Sequence, residues 1–322
     1  MVKANLVRRV LSLWGSWYND NLYYRYHLAG RPPAQRLALR LLLLPPAAFI
    51  TAYRRLSGQF ELVRVEMSIT ARCTLRCRDC CNLIPCYEKP SDLDTTRLLQ
   101  DIDDFLGNVD RVCRFVVMGG EPFLHPGLAA IMNHLIQHPK VDIVHLFTNA
   151  TIMPAAEVLA LVGHPKVYLT ISKYPRGLSR RDKELQEALK QRGARYIVTE
   201  NNWRDMGGFD PGLDDSPQEL KERFASCPIN ICHNIIDGAY HLCARSGHGQ
   251  RLGQFPPDPN DSVPFRGRHD PREFQEGLRR LLARDYISAC RQCHGGAGPV
   301  VPAAIQMGRP DHCLKSSDQA AE

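Results

Sequence analysis

The sequence predicts an α/β fold built around a parallel sheet. From residue 61 onward, short apolar runs alternate with segments of helical periodicity, which is typical of strands connected by crossover helices. Glycine and polar residues directly follow several apolar runs, at the carboxyl strand ends where active sites of parallel α/β folds gather. The 322 residues, 44% of them hydrophobic, are enough for one large domain or for a domain with an appendage.

Five strands and four helices are predicted in alternation. The strands are expected at about 62–69, 113–118, 142–148, 166–172 and 194–199. The helices are expected at about 93–107, 124–138, 154–163 and 179–192. Ser91-x-x-Asp94 resembles a capping box at the start of the first helix, and Gly193 is typical of a helix end. Residues 201–212 are predicted to form a loop, because they contain Gly207, Gly208 and Pro211.

Residues 1–60 differ from the rest of the chain in charge. They hold nine Lys or Arg and one acid, Asp20, for a net charge of +8, whereas the whole chain carries +7. They also contain aromatic residues and a leucine run: Trp14, Trp17, Tyr18, Tyr23, Tyr24, Tyr26 and 41–44. We predict a helical extension whose apolar side packs on the main domain. Contact with an anionic membrane surface is the alternative. The sequence contains no recognised nucleic-acid-binding module, so nucleic acid is not an expected partner.

Neither a secretory signal nor a membrane span is predicted from the sequence. No sustained apolar region or cleavage site follows the basic N-terminus. The most hydrophobic stretch, 37–52, contains Arg40 and the Pro45-Pro46 pair and is too short to span a bilayer. The 12 cysteines are too sparse for a disulfide scaffold, and their short spacings indicate metal ligation. A cytoplasmic protein is expected, with peripheral contact to the inner membrane surface through residues 1–60 as the alternative.

Three cysteines follow the first predicted strand with the spacing Cys73-x3-Cys77-x2-Cys80. A 4Fe–4S cluster has four irons, so three thiolates leave one iron open for chemistry. Zinc is less suited to this spacing, because zinc sites usually combine two closely spaced pairs. The motif and its position after a strand resemble those of the radical S-adenosylmethionine (radical SAM) superfamily. The resemblance covers about residues 61–295 and implies a partial (β/α)6 TIM-like barrel, which we place at 61–212.

A second motif, Met118-Gly119-Gly120-Glu121-Pro122, follows the second predicted strand. Two glycines allow a ligand to approach the backbone closely, and an ammonium group needs carbonyl or carboxylate acceptors. The resemblance implies that this segment receives the SAM amino group through its carbonyls, assisted by Glu121. It also implies that Asn149, Ser172 and Lys173 meet the SAM ribose and carboxylate, although each is also an ordinary polar strand end. Asp79 stands where the family usually has an aromatic residue near the adenine.

A second cysteine set lies in the C-terminal third of the chain. Cys227 and Cys243 flank Asp237-Gly238, a strong hairpin signal, and Cys290-x2-Cys293 follows. This set resembles the twitch domain, a shortened relative of SPASM domains. The resemblance implies an auxiliary 4Fe–4S cluster bound by Cys227, Cys243, Cys290 and Cys293 within residues 213–322. Zinc bound by four cysteines is the alternative. Cys232 is close to Cys227 in sequence, but only Cys227 has the family spacing to Gly238.

The sequence gives weaker indications of the roles of the remaining cysteines. Cys81 and Cys86 lie in the predicted cluster loop, where a thiol is able to donate a hydrogen atom to a substrate radical, as in some radical SAM epimerases. Packed loop cysteines without a chemical role are the alternative. Cys113 begins a predicted buried strand and is expected to be a small core residue. Cys313 has no assigned partner.

The resemblance implies a reaction type but not a substrate. SAM would be cleaved reductively to methionine and a 5′-deoxyadenosyl radical, which abstracts hydrogen from an unactivated C–H bond. Electrons would come from a reductase such as flavodoxin or ferredoxin. A twitch-type cyclitol dehydrogenase has similar auxiliary-cysteine spacing, so oxidation or rearrangement of a sugar- or cyclitol-type small molecule is expected. Modification of a peptide or protein is the first alternative, and a non-catalytic zinc or iron–sulfur protein is the second.

Overall fold

Five parallel strands in sequential order form the centre of the structure, a computed structural model that describes residues 58–208, 214–267 and 270–308. They are β2 (Val65–Thr70), β3 (Arg111–Gly119), β4 (Val141–Thr148), β5 (Val167–Ser172) and β6 (Arg195–Thr199). Each overlaps a strand predicted from the sequence. The parallel pairing of β2 with β3, β3 with β4, β4 with β5 and β5 with β6 confirms the α/β fold with a parallel sheet.

The four helices that connect these strands also lie where the sequence predicts them. They are α1 (Thr95–Gly107), α2 (Leu128–Gln137), α3 (Ala156–Leu161) and α4 (Asp182–Gln191). Helix α1 is capped by Asp94, whose carboxylate accepts a hydrogen bond from the Arg97 amide, so the predicted Ser91 start is wrong. Helix α4 ends in a Schellman motif at Gly193. The φ of this residue is 62°, in the left-handed region that favours glycine.

The sheet continues beyond β2 with strands from the C-terminal third of the chain. The full path is β10-β9-β8-β2-β3-β4-β5-β6, where β8 is Asn234–Ile236, β9 is Ala239–His241 and β10 is Ser262–Pro264. Strand β8 runs parallel to β2, and β9 and β10 then pair antiparallel. The residues predicted as an auxiliary-cluster domain therefore extend the edge of the same sheet. Helices α5 (Pro217–Ala225), α6 (Ala244–Arg251) and α7 (Pro271–Leu282) complete the described part of this region.

The hairpin between β8 and β9 has the turn that its sequence predicts. Asp237 and Gly238 both have positive φ, 52° and 76°, as a two-residue type I′ turn requires. The turn brings β9 back beside β8, so that Cys243 begins helix α6 two residues after β9 ends. The local sequence signal thus positions one of the predicted cluster ligands.

One face of the sheet is covered by an aromatic core. Phe105 of α1 contacts Phe115 of β3, Tyr240 of β9 and Phe274 of α7, with ring centroids 6.5, 6.2 and 6.1 Å apart. Side chains alternate along a strand, so Met118 of β3 lies on the face opposite to Phe115. That opposite face lines the cavity described below.

Two features of the barrel differ from the expectation. The resemblance implies six βα units, but residues 63–208 contain five consecutive parallel strands. The next strand, β7 (Trp203–Arg204), has two residues and pairs with β11 (Val300–Val301) in a separate ribbon. The predicted loop at 201–212 therefore contains a short strand, and the sixth parallel strand of the sheet is β8, which lies outside the predicted range 61–212.

The chain forms two compact units, Met1–Leu62 and Val63–Glu322. Of the first unit the structure describes residues 58–62, which include the two-residue strand β1 (Glu61–Leu62). The predicted basic helical extension, its membrane contact and Cys313 otherwise lie outside the described residues. No helix within the described ranges combines the length and the apolar character needed to cross a membrane.

Candidate active site and second cysteine cavity

A cavity of about 650 Å³ lies at the carboxyl ends of strands β2 to β5. This volume is within the range of sites for small molecules and cofactors. The cavity is lined by eight residues that the sequence predicted for the site: Cys73, Cys77, Cys80, Cys81, Gly119, Gly120, Asn149 and Ser172. They come from the loop after β2 and from the ends of β3, β4 and β5. The parallel fold brings them together because the carboxyl ends of its strands share one edge.

The three loop cysteines are close enough to influence one another. Burial, as the main cause, and the neighbouring Cys80, as a smaller one, raise the pKa of the Cys73 and Cys77 thiols to about 12. Burial also raises the pKa of Cys80. These thiols are protonated in the metal-free chain, so binding a metal centre would release their protons. Within the described ranges no three His, Cys, Asp or Glu side chains form a site for one metal ion. The cysteines of a cubane cluster each bind a different iron.

The two glycines after β3 are required by the cysteine loop. A Cβ on Gly119 would lie 2.3 Å from the Thr70 carbonyl oxygen, and one on Gly120 would lie 2.1 Å from that of Arg72. The Gly120 amide donates to the Thr70 carbonyl at 2.9 Å, and the Glu121 amide donates to the Arg72 carbonyl at 2.8 Å. The segment is therefore joined to the backbone that immediately precedes Cys73.

Glu121 joins two strand ends. Its buried carboxylate accepts hydrogen bonds from the Thr148 hydroxyl at 3.0 Å and from the amides of Asn149 and Phe123 at 2.9 and 3.2 Å. Burial raises the pKa of Glu121 to about 7, and these hydrogen bonds oppose the shift. Neither Glu121 nor Pro122 lines the cavity, and Pro122 begins a short 3-10 helix. The carboxylate thus holds the end of β3 against the end of β4.

The other predicted SAM contacts differ in their surroundings. The Asn149 amide nitrogen donates to the Thr74 hydroxyl at 3.2 Å and lies 3.6 Å from the Cys73 sulfur. Ser172 lines the cavity at the end of β5. Lys173 does not line it, and its ammonium group pairs with Glu200 at 2.6 Å on the surface. The Asn149 side-chain oxygen also accepts from the Thr151 amide at 2.9 Å. Asn149 and Ser172 therefore line the cavity, whereas Lys173 is engaged elsewhere.

A C-terminal segment that the sequence analysis missed covers the cysteine loop. The Arg78 amide donates to the Ile305 carbonyl, and the Met307 amide donates to the Arg76 carbonyl, both at 2.8 Å. The Gln306 side chain accepts from the Arg76 amide at 2.9 Å and donates to the Cys77 sulfur at 3.3 Å. A lone glutamine near the end of a chain carries no sequence signal for such a role.

Several polar side chains in the cavity wall were missed by the sequence analysis. Arg64 and Glu66 form a partly buried ion pair, in which the Arg64 Nε donates to the Glu66 carboxylate at 2.9 Å. Three further polar residues that line the cavity come from the segment around β7: Asn201, Asn202 and Arg204. Tyr174 and Trp203 add an aromatic surface, with ring centroids 5.5 Å apart. The sequence signal for the Arg64–Glu66 pair is weak, because alternating polar residues also occur on exposed strands.

The second cysteine set surrounds a cavity of its own, with a volume of about 30 Å³. Its lining includes all four predicted ligands: Cys227, Cys243, Cys290 and Cys293. Burial raises the pKa of Cys290 to about 12 and raises that of Cys243, and the neighbouring cysteines add to both shifts. The Gly295 amide donates to the Cys293 sulfur at 3.2 Å. Four thiols and a backbone donor fit a cubane cluster, whose irons each take a different thiolate, whereas within the described ranges no three of them form a site for one metal ion.

The remaining cysteines lie in different parts of the structure. Cys232 lines the first cavity beside Glu66, so it does not join the second set, whereas Cys227 does. Cys81 also lines the first cavity as a free cysteine. Cys86 is disulfide-bonded, and a disulfide has no S–H hydrogen. Its predicted role as a hydrogen donor is therefore contradicted for this state of the chain. Cys113 is buried in β3.

Comparisons with known proteins give weak similarities to solved structures. No family model and no curated protein matches the chain. A structure of BtrN in complex with AdoMet and 2-DOIA is 13% identical, with a TM-score of 0.42 over 74% of this chain and 98% of BtrN. Streptococcus suis SuiB bound to S-adenosylmethionine is 13% identical, with a TM-score of 0.37 over 48% of this chain and 39% of SuiB.

A third similar structure is anSMEcpe with bound AdoMet and the Cp18Cys peptide. It is 16% identical, with a TM-score of 0.35 over 43% of this chain and 42% of that protein. The chain thus matches about two fifths of the length of SuiB and of anSMEcpe. Similarities of this size do not identify a reaction, so the site is interpreted from its own residues.

Proposed function

We propose that the chain is a radical SAM enzyme. The observation that carries the proposal is that one cavity is lined by the three cysteines of the x3–x2 motif, by both glycines and by Asn149 and Ser172. Cys73, Cys77 and Cys80 would bind a 4Fe–4S cluster with one open iron. With the cluster and SAM bound, the site would supply a 5′-deoxyadenosyl radical that abstracts hydrogen from an unactivated C–H bond.

The chain's own residues support this chemistry by position and by exclusion of water. Asn149 offers an amide beside Cys73, and Ser172 offers a hydroxyl at the next strand end, where ribose and carboxylate oxygens need partners. Glu121 and the two glycines keep the cysteine loop against β3 and β4. Radical chemistry requires that a substrate carbon be held close to the reactive group and away from water. Buried residues such as Cys77, Thr148 and Asn149 form part of the cavity wall and contribute to that exclusion.

A small polar molecule of the sugar or cyclitol type is the proposed substrate, undergoing oxidation or rearrangement. The support is the set of polar side chains in the cavity wall, whose guanidinium, carboxylate and amide groups are able to hydrogen-bond hydroxyl groups. Trp203 and Tyr174 supply the apolar surface that a ring substrate needs. Peptide or protein modification is the alternative, and a non-catalytic metal-binding protein is the remote one. The similar structures include both peptide and 2-DOIA complexes and favour neither.

The second cavity is proposed to hold an auxiliary 4Fe–4S cluster through Cys227, Cys243, Cys290 and Cys293, as a twitch-like element. Its support is the convergence of these four cysteines and of no other cysteine on that cavity among the described residues. Zinc with the same ligands remains the alternative. A reductase such as flavodoxin or ferredoxin is the proposed electron source.

The test is anaerobic reconstitution with iron and sulfide, followed by SAM turnover with a reductant. The expected product is 5′-deoxyadenosine, formed faster with a sugar or cyclitol than with peptides. Replacing Cys73, Cys77 and Cys80 by alanine should abolish it. The control is Cys113→Ala, which alters a buried cysteine outside both sets. Absence of 5′-deoxyadenosine from fully reconstituted protein, with every reductant, would contradict the proposal.

Iron content separates the two cysteine sets. Two cubane clusters predict about eight irons per chain after reconstitution. The Cys73, Cys77 and Cys80 triple variant should retain about half of that iron, because the second cavity is unchanged. Stoichiometric zinc in place of the second four irons would contradict the auxiliary-cluster assignment and leave the radical SAM assignment in place.

A further inference from the structure

Three buried hydrogen-bond donors line the second cavity and have no partner among the described residues. They are Arg223 Nε, Arg245 Nε and Ser246 Oγ. The three residues are 8%, 3% and 0% exposed. A buried donor that finds no acceptor costs free energy, and native proteins contain few of them. Three such donors around one small cavity indicate that the cavity's occupant supplies acceptors.

The charge of the cavity wall points to an anionic occupant. Arg223 is neutralised by Asp215, with 2.6 Å between Nη2 and Oδ1. Arg245 has no carboxylate partner in the part of the chain that the structure describes. Its guanidinium donates to the Gly208 carbonyl and lies 5.8 Å from the centre of the Phe255 ring. Burying an unpaired charge is costly, so a negatively charged occupant would stabilise this arrangement.

We propose that Arg223, Arg245 and Ser246 donate hydrogen bonds to the sulfur atoms of an iron–sulfur cluster in the second cavity, and that Arg245 raises the reduction potential of that cluster. The proposal rests on the auxiliary cluster of the proposed function. A cubane cluster offers bridging sulfides as acceptors in addition to the four thiolates. Its potential depends on net charge, burial and hydrogen bonds to sulfur. Reduction adds one negative charge, which a buried guanidinium stabilises.

The experiment uses the full chain with Cys73, Cys77 and Cys80 replaced by alanine, so that only the second cavity holds a cluster. Iron and acid-labile sulfide are counted, and the midpoint potential is measured by titration followed by electron paramagnetic resonance. Arg245→Met should shift the midpoint to a more negative potential, whereas Arg245→Lys should keep most of the wild-type value. Ser246→Ala should give a smaller shift in the same direction as Arg245→Met. Arg251→Met, an exposed change on the same helix, is the matched control and should give no shift.

This background cannot cleave SAM, so the result does not depend on the radical chemistry. An unchanged midpoint in Arg245→Met at full iron content would overturn the proposal, as would stoichiometric zinc in the background protein. If Arg245→Met loses its iron while Arg245→Lys retains it, the need for the positive charge is supported. If both lose iron, Ser246→Ala decides: a more negative midpoint supports the donor set, and an unchanged one refutes it.

Discussion

Single residues at the end of β3 hold the cysteine loop in place through hydrogen bonds, in addition to any role in binding a ligand. The Gly120 amide and the Glu121 amide bind two carbonyls just before Cys73, and the Glu121 carboxylate binds the end of β4. Each of these contacts depends on a close backbone approach that only glycine allows at Gly119 and Gly120. The glycines therefore shape the cysteine loop and this end of the cavity together.

Gly120→Val is expected to disrupt the cluster as well as SAM binding. Its Cβ would lie 2.1 Å from the Arg72 carbonyl oxygen and 2.9 Å from the Cys73 Cβ. The loop would have to move, and with it one predicted cluster ligand. Iron content and SAM affinity should fall together, measured by iron analysis and equilibrium binding. Gly107→Ala, at a glycine with open space, is the control. Full iron content with weakened SAM binding alone would contradict this expectation.

Gln306 is expected to tune the first cluster through its hydrogen bond to the Cys77 sulfur at 3.3 Å. Hydrogen bonds to cluster sulfurs stabilise the more negative reduced state. Gln306→Leu removes the donor, and the leucine side chain has a similar volume and excludes water. The midpoint potential of the first cluster should therefore become more negative. Met307→Leu, which leaves the neighbouring backbone hydrogen bond intact, should not change it. Equal midpoints in the two variants would refute this role for Gln306.

At the scale of elements, the β8–β9 hairpin connects the two cysteine cavities. Strand β8 pairs with β2, which leads into the first cysteine loop, and β9 leads to Cys243 at the start of α6. The turn at Asp237 and Gly238 sets the register between them. An error in this turn would displace Cys243 relative to Cys227.

Gly238→Ala is expected to weaken metal binding in the second cavity. Both Gly238 and Gly193 have positive φ, which costs other residues about 1–2 kcal/mol. A Cβ on Gly238 would also lie 2.6 Å from the Arg266 Nε, whereas one on Gly193 meets no neighbour. Gly193→Ala therefore serves as a control of similar backbone cost. Iron retention during anaerobic dialysis should fall in Gly238→Ala only. Equal retention in both variants would mean that the turn does not position Cys243.

The elements that local sequence determines could be predicted. The contacts between residues far apart in the chain could not. The five central strands, the helix end at Gly193 and the Asp237-Gly238 turn each have a short-range signal, and the structure contains all of them. The pairing of β8 with β2 joins residues far apart in the chain, and a three-residue strand has too little periodicity to indicate it. The contacts of Gln306 and Arg245 depend on that tertiary arrangement, so no spacing rule could reveal them.

At the scale of the whole molecule, buried ionisable groups determine how stability depends on pH. Burial lowers the pKa of His233 and His241 to about 4 and that of His248 to about 3. His248 is also held by Ser68 and the Tyr87 hydroxyl, at 2.9 and 2.7 Å. Glu121 has the opposite shift, because burial raises its pKa to about 7. The histidines and the glutamate therefore act in opposite directions on acidification.

The folded protein is expected to lose stability as the pH falls from about 6.5 to about 4. Below pH 6.5 the unfolded chain protonates four histidines that burial keeps neutral in the folded chain, namely His145, His233, His241 and His248. Each costs up to about 1.4 kcal/mol per pH unit. Glu121 takes up a proton in the folded state between about pH 7 and 4.5, which offsets one of the four. The net effect of these five groups is a loss equivalent to about three protons. His241→Leu removes one of the buried titrating groups, so its midpoint of acid unfolding, followed by far-ultraviolet circular dichroism, should move to lower pH. His164→Gln changes an exposed histidine and should leave the midpoint unchanged. A midpoint of His241→Leu equal to that of the wild type would mean that burial of this histidine does not contribute to acid sensitivity.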